Sequence, residues 1–304
     1  MTATARILVI RLGALGDFVQ SFAPFAAIRA HHPAAEITLL TTAPFAALAR
    51  LCPWFDRVDV DARPPWWNLA GLRRLRRQLS GFAFVYDLQT SGRSTRYFRL
   101  AGRPPWSGIA RGCSHPQRDR AREVMHTRER QADQLRLAGI DHVPSPDLSF
   151  LTARPVAGLP RPYALLVPGA APHRPAKRWP AARFGELAAT LAGRGQTPVV
   201  IGAAADAGLA ATIRAACPDA IDLTGKTALA DLFALAAGAE LAVGNDTGPM
   251  HIAAAAGCPS LVLFGRDSDP SLTAPRTPDG GFAAVLRAPV LADLPTPRVV
   301  AALP

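Results

Sequence analysis

Short runs of apolar residues alternate along the chain with segments whose apolar residues recur at helical spacing. Most of the runs are continuous and aliphatic, which is typical of strands that are buried on both faces. In order along the chain they are residues 7–10, 36–40, 57–60, 82–87, 163–167, 198–201, 221–223, 241–243 and 260–264. The alternation predicts an α/β protein with parallel, doubly wound sheets.

A Pro-rich stretch, residues 144–162, interrupts this alternation and has the composition of a linker. The whole chain of 304 residues is long enough for two domains that each bury a core. We therefore expect two Rossmann-like domains, residues 1–155 and residues 156–304.

A loop with two glycines and an acid follows the first apolar run. Gly13 and Gly16 allow a tight turn close to a ligand, and Asp17 lies in the first turn of a helix predicted for residues 15–30. The spacing matches neither the dinucleotide fingerprint nor the P-loop. From the loop alone, Asp17 is either a functional carboxylate or an ordinary partner of the helix dipole.

A second loop of this kind, residues 243–252, leads from an apolar run into an Ala-rich segment. The pattern predicts a strand, a turn and a helix start, with Asn245, Asp246 or Thr247 as the N-cap. A helix start favours an anion, whereas the Asp246 carboxylate suits hydroxyl groups. Phosphate together with a polyol indicates a nucleotide-sugar. The alternative is that Asp246 or Thr247 only caps the helix and His251 packs inside it.

Composition narrows the possible partners. The apolar fraction of 49% favours a soluble globular enzyme, and we find no apolar stretch of membrane-span length and no signal-peptide pattern. Four scattered cysteines suit a reducing cytoplasm and have no zinc-ligand spacing. The net charge of +11 favours anionic partners, but no nucleic-acid-binding module is recognisable, so nucleic acid is not expected.

Two basic segments are candidates for contact with those partners. Leucines recur at helical spacing beside Arg73, Arg74, Arg76 and Arg77, just after the pair Trp66-Trp67. This helix either presents a solvated basic face or lies on anionic lipid headgroups. Arg93 follows the fourth predicted strand, where ligands bind in such sheets, and is a candidate for an anionic acceptor.

Taken together, the two loops resemble one family. Gly13-Ala14-Leu15-Gly16-Asp17 and Asn245–His251 (N-D-T-G-P-M-H), with Pro168-Gly169 and Lys177-Arg178-Trp179-Pro180 between them, are similar to the heptosyltransferases of lipopolysaccharide core synthesis, glycosyltransferase family 9. The resemblance implies a GT-B architecture, in which two Rossmann-like doubly wound domains face a cleft. It also implies an inverting transfer of heptose, or a similar sugar, from an ADP-sugar to a lipopolysaccharide core or related glycan.

The resemblance also assigns roles to residues. Asp17 corresponds to the general base, with Arg11, Gly13, Gly16 and Arg93 on the acceptor side. Lys177 corresponds to the phosphate-binding lysine, and Asp206 to an acid beside the ribose. The remaining donor-binding candidates are Thr227, Asp246, Thr247, Gly248 and His251. This chain departs from the family at Ala170 and Ala171, where hydroxyl residues often help to bind phosphate. In relatives a terminal element, here residues 296–303, crosses back toward the first domain.

Several further expectations follow. Asp267-Ser268-Asp269 has the form of a metal-binding signature but precedes Pro270, so we interpret it as a polar turn and expect no metal and no cofactor besides the nucleotide-sugar. The expected acceptor is an anionic glycolipid, and the expected location is the cytoplasm, with peripheral contact to the inner membrane surface as a possibility. We expect a monomer. The competing interpretations are a sugar-nucleotide epimerase and a non-catalytic nucleotide-sugar binding protein.

Overall fold

The structure is a computed structural model that describes residues 4–154, 158–171 and 173–304. The chain divides into two compact units, residues 1–146 and 147–304. The division falls inside the Pro-rich stretch that the sequence predicts as a linker. Part of that stretch, residues 155–157, lies outside the described residues.

The first unit is a parallel sheet with helices between its strands. Within the described residues its strands are β1 (Arg6–Ile10), β2 (Glu36–Thr41), β3 (Arg57–Val60), β4 (Phe84–Asp87), β5 (Trp106–Gly108) and β6 (His115–Pro116). Its helices are α1 (Leu15–Gln20), α2 (Phe22–His31), α3 (Ala43–Ala49), α4 (Leu69–Gln78), α5 (Gly92–Leu100) and α6 (Thr127–Arg136). The strand order is β3-β2-β1-β4-β5-β6.

The second unit repeats this plan. In the described part its strands are β7 (Tyr163–Val167), β8 (Thr197–Val200), β9 (Ile221–Asp222), β10 (Leu241–Asn245), β11 (Ser260–Phe264) and β12 (Ala284–Arg287). Its helices are α7 (Ser149–Thr152), α8 (Ala181–Gly193), α9 (Ala207–Ala216), α10 (Leu229–Ala237), α11 (Gly248–Ala255), α12 (Pro270–Thr273) and α13 (Thr296–Ala301). The strand order is β12-β11-β10-β7-β8-β9, again parallel.

The central strands are buried on both faces, as their continuous apolar sequences predict. All of β7, β10 and β11 is buried, and β1 is buried from Ile7 onward. Helices cover the faces of each sheet, with the buried residues of α8 and α9 forming a core against β7 and β8 in the second unit. The predicted doubly wound α/β fold is therefore confirmed.

The prediction of one helix over residues 15–30 is wrong, because the segment forms two helices, α1 and α2. The chain breaks at Ser21, whose hydroxyl donates to the Asp17 carbonyl at 2.8 Å. Pro24 lies in the first turn of α2, and a proline ring there is incompatible with continuing an α-helix through Gln20. As a result Asp17 belongs to a helix of only six residues.

Each sheet has a point where the strand order reverses. In the first unit the chain builds outward through β2 and β3 and then returns to place β4 on the other side of β1. In the second unit β8 and β9 extend from one side of β7, and β10 starts the other side. Parallel sheets bind ligands at the carboxyl ends of the strands beside such a switch point. The loops that follow β1, β4, β7 and β10 are therefore where a site is expected.

The second unit ends in a short helix that packs on the unit itself. The terminal helix α13 packs against α8, and the Thr296 hydroxyl bonds to the carboxylate of Glu186. Among the residues that the structure describes, no helix is both long enough and apolar enough to cross a bilayer.

Candidate active site

The loop after β1 requires glycine at position 13. Gly13 has φ of +120°, a conformation that side chains rarely adopt, and a Cβ there would lie 2.6 Å from Cε2 of Phe45. Gly16, the second glycine, is the second residue of α1. Only Gly13 shapes the loop between β1 and α1, since Gly16 lies within the helix, and Asp17 follows in the first turn of α1 beyond the carboxyl end of the central strand.

Asp17 is held by a buried arginine. The Nη2 atom of Arg11 lies 3.2 Å from Oδ1 of Asp17, and the side chains are 4% and 40% exposed, respectively. Arg11 Nη1 also donates to the carbonyl of Leu88 at 2.5 Å. Burial lowers the pKa of Arg11, and the neighbouring Asp17 charge opposes that shift. The pair thus fixes the orientation of a carboxylate that still faces solvent.

Asp87 is a buried acid that the sequence analysis missed. It ends β4 directly beside Ile10 of β1, and its Oδ1 accepts from the backbone N–H groups of Gln89 and Thr90 at 3.2 and 3.1 Å. Burial raises the pKa of Asp87 to about 6, against the opposing effects of its hydrogen bonds and of Arg11. The residue lies in a predicted strand, and its burial next to Arg11 depends on which strands pair.

Neighbouring loops hold the Gly13 loop in place. The backbone N–H of Leu12 donates to Gln89 at 2.8 Å. The carbonyl of Leu12 accepts from the Thr42 hydroxyl and from the Arg63 guanidinium, both at 3.0 Å. These residues follow β4, β2 and β3, so the loops at one edge of the sheet converge on the loop that carries Asp17.

The other acceptor-side candidate, Arg93, lies at the start of α5. Its guanidinium lies over the ring of Trp66 at 5.5 Å, and that of Arg96 lies over the same ring at 5.1 Å. Arg93 also reaches the Tyr97 hydroxyl at 3.4 Å, and Tyr97 in turn donates to Asp61. Trp66 is therefore packed within the unit, whereas Trp67 is 83% exposed.

In the second unit the helix after β10 begins with Thr247 as the N-cap. Of the three N-cap candidates, Asn245 is instead the last residue of the strand and Asp246 precedes the cap. The Thr247 side chain makes no capping hydrogen bond to α11. Pro249 has no N–H group and that of Met250 donates to the Thr247 carbonyl at 3.1 Å, so the N–H groups of Thr247 and Gly248 are the candidates to face an anion.

Lys177 and Asp246 form a largely buried ion pair. The Lys177 ammonium lies 2.5 Å from Oδ2 of Asp246, with the side chains 13% and 8% exposed. Lys177 ends a short 3₁₀ turn, Pro175–Lys177, while Asp246 directly follows β10. Two family motifs that are far apart in sequence meet at this contact.

The sequence predicts Asn245 as an N-cap candidate, and the structure gives it a different position. Its side chain is buried, accepts from the backbone N–H of Trp179 at 2.9 Å and donates to the carbonyl of Pro168 at 2.8 Å. Arg178 adds a bond to the carbonyl of Ala170 at 2.8 Å. The segments after β7, before α8 and after β10 are thereby joined.

Asp206 lies at the carboxyl ends of β7 and β8. A Cβ on Gly169 or Gly202 would lie 2.6 or 2.9 Å from its Oδ2 atom, so both glycines make room for it. Oδ2 also accepts from the N–H of Ala203 at 3.0 Å. The carboxylate therefore already serves the local turn.

The remaining donor candidates differ in exposure. Thr227 is half-buried, in a loop whose Gly225 N–H donates to the carbonyl of Gly202 at 2.9 Å. That bond places the loop beside the Asp206 turn. His251 is buried within α11. Trp179 is also buried, with its indole N–H donating to the Leu294 carbonyl at 2.8 Å.

The segment Asp267-Ser268-Asp269, which resembles a metal-binding signature, lies in the connection between β11 and α12. Asp269 caps α12 by accepting from the Ser271 N–H at 2.9 Å, and its hydrogen bonds with Ser271 lower the pKa of this carboxyl. In the ranges 4–154, 158–171 and 173–304, no three His, Cys, Asp or Glu side chains form a group suited to a metal ion.

Comparison with known proteins gives matches of three kinds. The profile of glycosyltransferase family 9 (heptosyltransferase) matches residues 72–281. Lipooligosaccharide heptosyltransferase 2 of Haemophilus influenzae is 38% identical over 120 residues, which is 38% of this chain and 34% of that protein. Lipopolysaccharide heptosyltransferase 2 of Escherichia coli is 38% identical over 123 residues, again 38% of this chain and 34% of the relative. The matched segments thus span about a third of the length of these curated relatives.

A solved structure matches over nearly the whole chain. The Escherichia coli ADP-heptose lipopolysaccharide heptosyltransferase II has a TM-score of 0.76 at 25% identity, covering 98% of this chain and 97% of that one. Together with the two doubly wound sheets, this likeness confirms the predicted GT-B fold. Because the family profile extends over more than half of the sequence, from within α4 to just before β12, the protein belongs to glycosyltransferase family 9, the heptosyltransferase family.

Proposed function

We propose that the protein is an inverting glycosyltransferase that transfers a heptose, or a similar sugar, from an ADP-sugar to a lipopolysaccharide core or related glycan. One observation carries the proposal. The family motifs, scattered along the sequence, gather at the switch point of each sheet: Arg11 with Asp17 in the first unit, and Lys177 with Asp246 in the second.

The second unit binds the donor in this proposal. The Lys177 ammonium and the backbone N–H groups of Thr247 and Gly248 take the diphosphate, because a cation and a helix start both favour a phosphate. Asp246, which already lies against Lys177, accepts hydrogen bonds from sugar hydroxyls. Asp206 lies beside the ribose, and Thr227 and His251 complete the donor site.

The first unit supplies the base. Asp17 takes the proton of the acceptor hydroxyl while that oxygen attacks the anomeric carbon. The bond from this carbon to the β-phosphate oxygen breaks on the opposite face, which inverts the configuration, and ADP leaves with the electron pair. Lys177 and the helix N–H groups stabilise the charge that develops on the departing phosphate. Arg11 holds the Asp17 carboxylate in one orientation throughout.

The acceptor side is basic and partly apolar at its surface. The four arginines of α4 are exposed, and so are Trp67 and Leu69 at its start. Cationic side chains beside exposed apolar ones suit an anionic lipid surface, where each Lys or Arg contributes about 1 kcal/mol. Arg93 and this helix therefore serve an anionic glycolipid acceptor, and the enzyme works in the cytoplasm at the inner membrane surface.

Incubation of the protein with ADP-heptose, with and without a lipid A acceptor that carries the inner core sugars, tests the proposal. A transferase releases ADP and elongates the glycolipid only when the acceptor is present. Conversion of the nucleotide-sugar without acceptor would identify an epimerase. Binding of ADP-heptose with no turnover under either condition, across a panel of core acceptors, would indicate a binding protein and contradict the proposal.

A further inference from the structure

The amide side chain of Asn245 uses both of its ends in a fully buried position. Its Oδ1 accepts from the backbone N–H of Trp179 at 2.9 Å, and its Nδ2 donates to the carbonyl of Pro168 at 2.8 Å. A backbone N–H can only donate and a carbonyl can only accept, so the amide has one orientation. A side chain at this position must therefore supply an acceptor and a donor together, as the carboxamide of Asn245 does.

The two partners belong to different parts of the proposed donor site. Pro168 follows β7 and precedes Gly169, which packs against Asp206. Trp179 lies two residues after Lys177, and its indole is anchored to the carbonyl of Leu294. Arg178 alone separates Trp179 from Lys177, and it too is held, by its bond to the Ala170 carbonyl, so the backbone next to Lys177 has little freedom to move.

We propose that Asn245 is a positioning residue that sets the Lys177 ammonium over the phosphate site. Its side chain fixes the segments after β7 and before α8, while its main chain continues directly into Asp246, the partner of Lys177. The lysine is thus placed by a buried amide as well as by its own ion pair. This inference rests on the proposed function, because it takes Lys177 to bind the diphosphate.

A double-mutant cycle on ADP affinity tests the inference. ADP binding to the full chain is measured by calorimetry for the native protein, Lys177→Ala, Asn245→Ala and the double variant. Lys177→Ala is expected to weaken binding about tenfold or more, and Asn245→Ala about tenfold. If Asn245 acts through Lys177, the double variant binds no more than about twofold more weakly than the weaker single variant. Independent effects would multiply to about a hundredfold.

A matched control separates positioning from general loss of stability. Ser260 is also buried, at the start of β11, and its hydroxyl donates to the Cys258 carbonyl at 2.7 Å. Ser260→Ala removes a buried hydrogen bond of the same unit, so it is expected to lower the melting temperature while ADP affinity stays within about twofold of native.

Asn245→Asp gives a second readout that does not depend on a large structural change. Its carboxylate keeps the acceptor for Trp179 but turns an acceptor toward the Pro168 carbonyl, so the ionised form loses that bond. Burial raises the pKa of a carboxyl, and the protonated form can donate to Pro168 again. ADP affinity relative to native is therefore expected to recover as the pH falls from about 8 to about 5.5. The native protein at each pH is the reference, since it shares the other charged groups near the site: Lys177, Arg178, Asp246, His251 and the phosphates of ADP.

The outcomes distinguish this inference from the proposed function. Unchanged ADP affinity in Lys177→Ala would remove the donor assignment on which both rest. Weakened binding in Lys177→Ala with native affinity in Asn245→Ala, or with multiplicative effects in the double variant, would overturn the role of Asn245 alone. An Asn245→Asp variant that shows no pH-dependent recovery would also overturn it.

Discussion

The loops after β1 and after β10 have the same arrangement of strand, turn and helix, but their charged side chains differ in exposure to solvent. Each follows a central buried strand, turns at the switch point of its sheet and starts a short helix. In the first, the arginine is buried and the carboxylate of Asp17 is 40% exposed. In the second, both members of the pair Lys177–Asp246 are largely buried. An exposed base suits a proton acceptor, whereas a buried cation suits a tightly held anion.

In the proposed function this difference in exposure follows from the group that each loop binds. A base has to meet a hydroxyl group that arrives with the acceptor, so its carboxylate needs to be reachable while its orientation is fixed. A phosphate-binding cation gains strength from partial exclusion of water, provided that another charge compensates it before the ligand binds. Asp246 supplies that compensation in the second unit. In the proposed function the first loop carries the chemistry and the second binds the donor.

The largest effect is expected from Asp17→Asn. The amide keeps the shape of the side chain but cannot take a proton, so kcat should fall by about 10²–10⁴-fold while ADP affinity holds. Steady-state turnover and calorimetry on the same preparation measure both. Asp141→Asn, an exposed acid of the same unit, is the control and should keep native turnover. Near-native kcat in Asp17→Asn would leave Asp17 as a helix-dipole partner only.

Asp87→Asn tests whether the buried carboxylate of Asp87, beside the first loop, destabilises the folded protein. The folded pKa of Asp87 is about 6, above the usual value of 3.8, so the folded state binds its proton more tightly than the unfolded chain does. Ionisation of buried Asp87 therefore lowers the free energy of unfolding as the pH rises from about 4 to about 6, and the loss reaches its full size above that range. Asp87→Asn should thus raise the free energy of unfolding at pH 7 by about 3 kcal/mol.

Denaturant unfolding of the native protein and Asp87→Asn at pH 4 and pH 7 makes the measurement. The gain should shrink toward zero at pH 4, where the native carboxyl is protonated in the folded state. Equal differences at the two pH values would contradict a raised pKa at this position.

Lys177→Ala should weaken ADP binding by about tenfold or more, because a charge-assisted contact contributes about 1.5–3 kcal/mol. Calorimetric titration with ADP measures the loss. Arg183→Ala removes a positive charge from an exposed position of α8 in the same unit and is expected to bind ADP as the native protein does. Similar losses in both variants would mean that net charge, and not the Lys177 site, attracts the nucleotide.

The smallest effect is expected from the basic helix of the first unit. Arg73→Ala should reduce binding to vesicles that contain anionic phospholipid about fivefold, since one arginine near such a surface contributes about 1 kcal/mol. Binding should also weaken as salt rises above about 0.15 M. Arg298→Ala, at an exposed position of α13, is the control. Equal binding to neutral and anionic vesicles would leave α4 with a merely solvated basic face.

Most of the fold could be predicted because its strands are buried on both faces and therefore appear as continuous apolar runs. β3 and β11 match their predicted bounds. The sequence does not predict β5, β6 and β12, since β5 and β6 have only three and two residues and β12 is partly exposed at the sheet edge. The two ligand loops were identified from glycines and polar residues next to apolar runs, a local signal.

The contacts inside those loops could not be predicted, because they depend on which loops the sheets bring together. Arg11 and Asp17 are close in sequence, but the burial of Arg11 depends on β4 and its Leu88 carbonyl. The contacts of Asn245 involve segments that are 66 and 77 residues away. A polar side chain at the end of a buried strand is a candidate for such a contact, and this rule would have selected both Asp87 and Asn245.

The division of labour between the two loops is tested most directly by measuring kcat and the ADP dissociation constant for Asp17→Asn and Lys177→Ala side by side. We expect a crossed pattern, in which Asp17→Asn loses turnover by at least about a hundredfold with native ADP affinity, and Lys177→Ala loses ADP affinity by at least about tenfold. Loss of ADP affinity in Asp17→Asn together with native affinity in Lys177→Ala would contradict it.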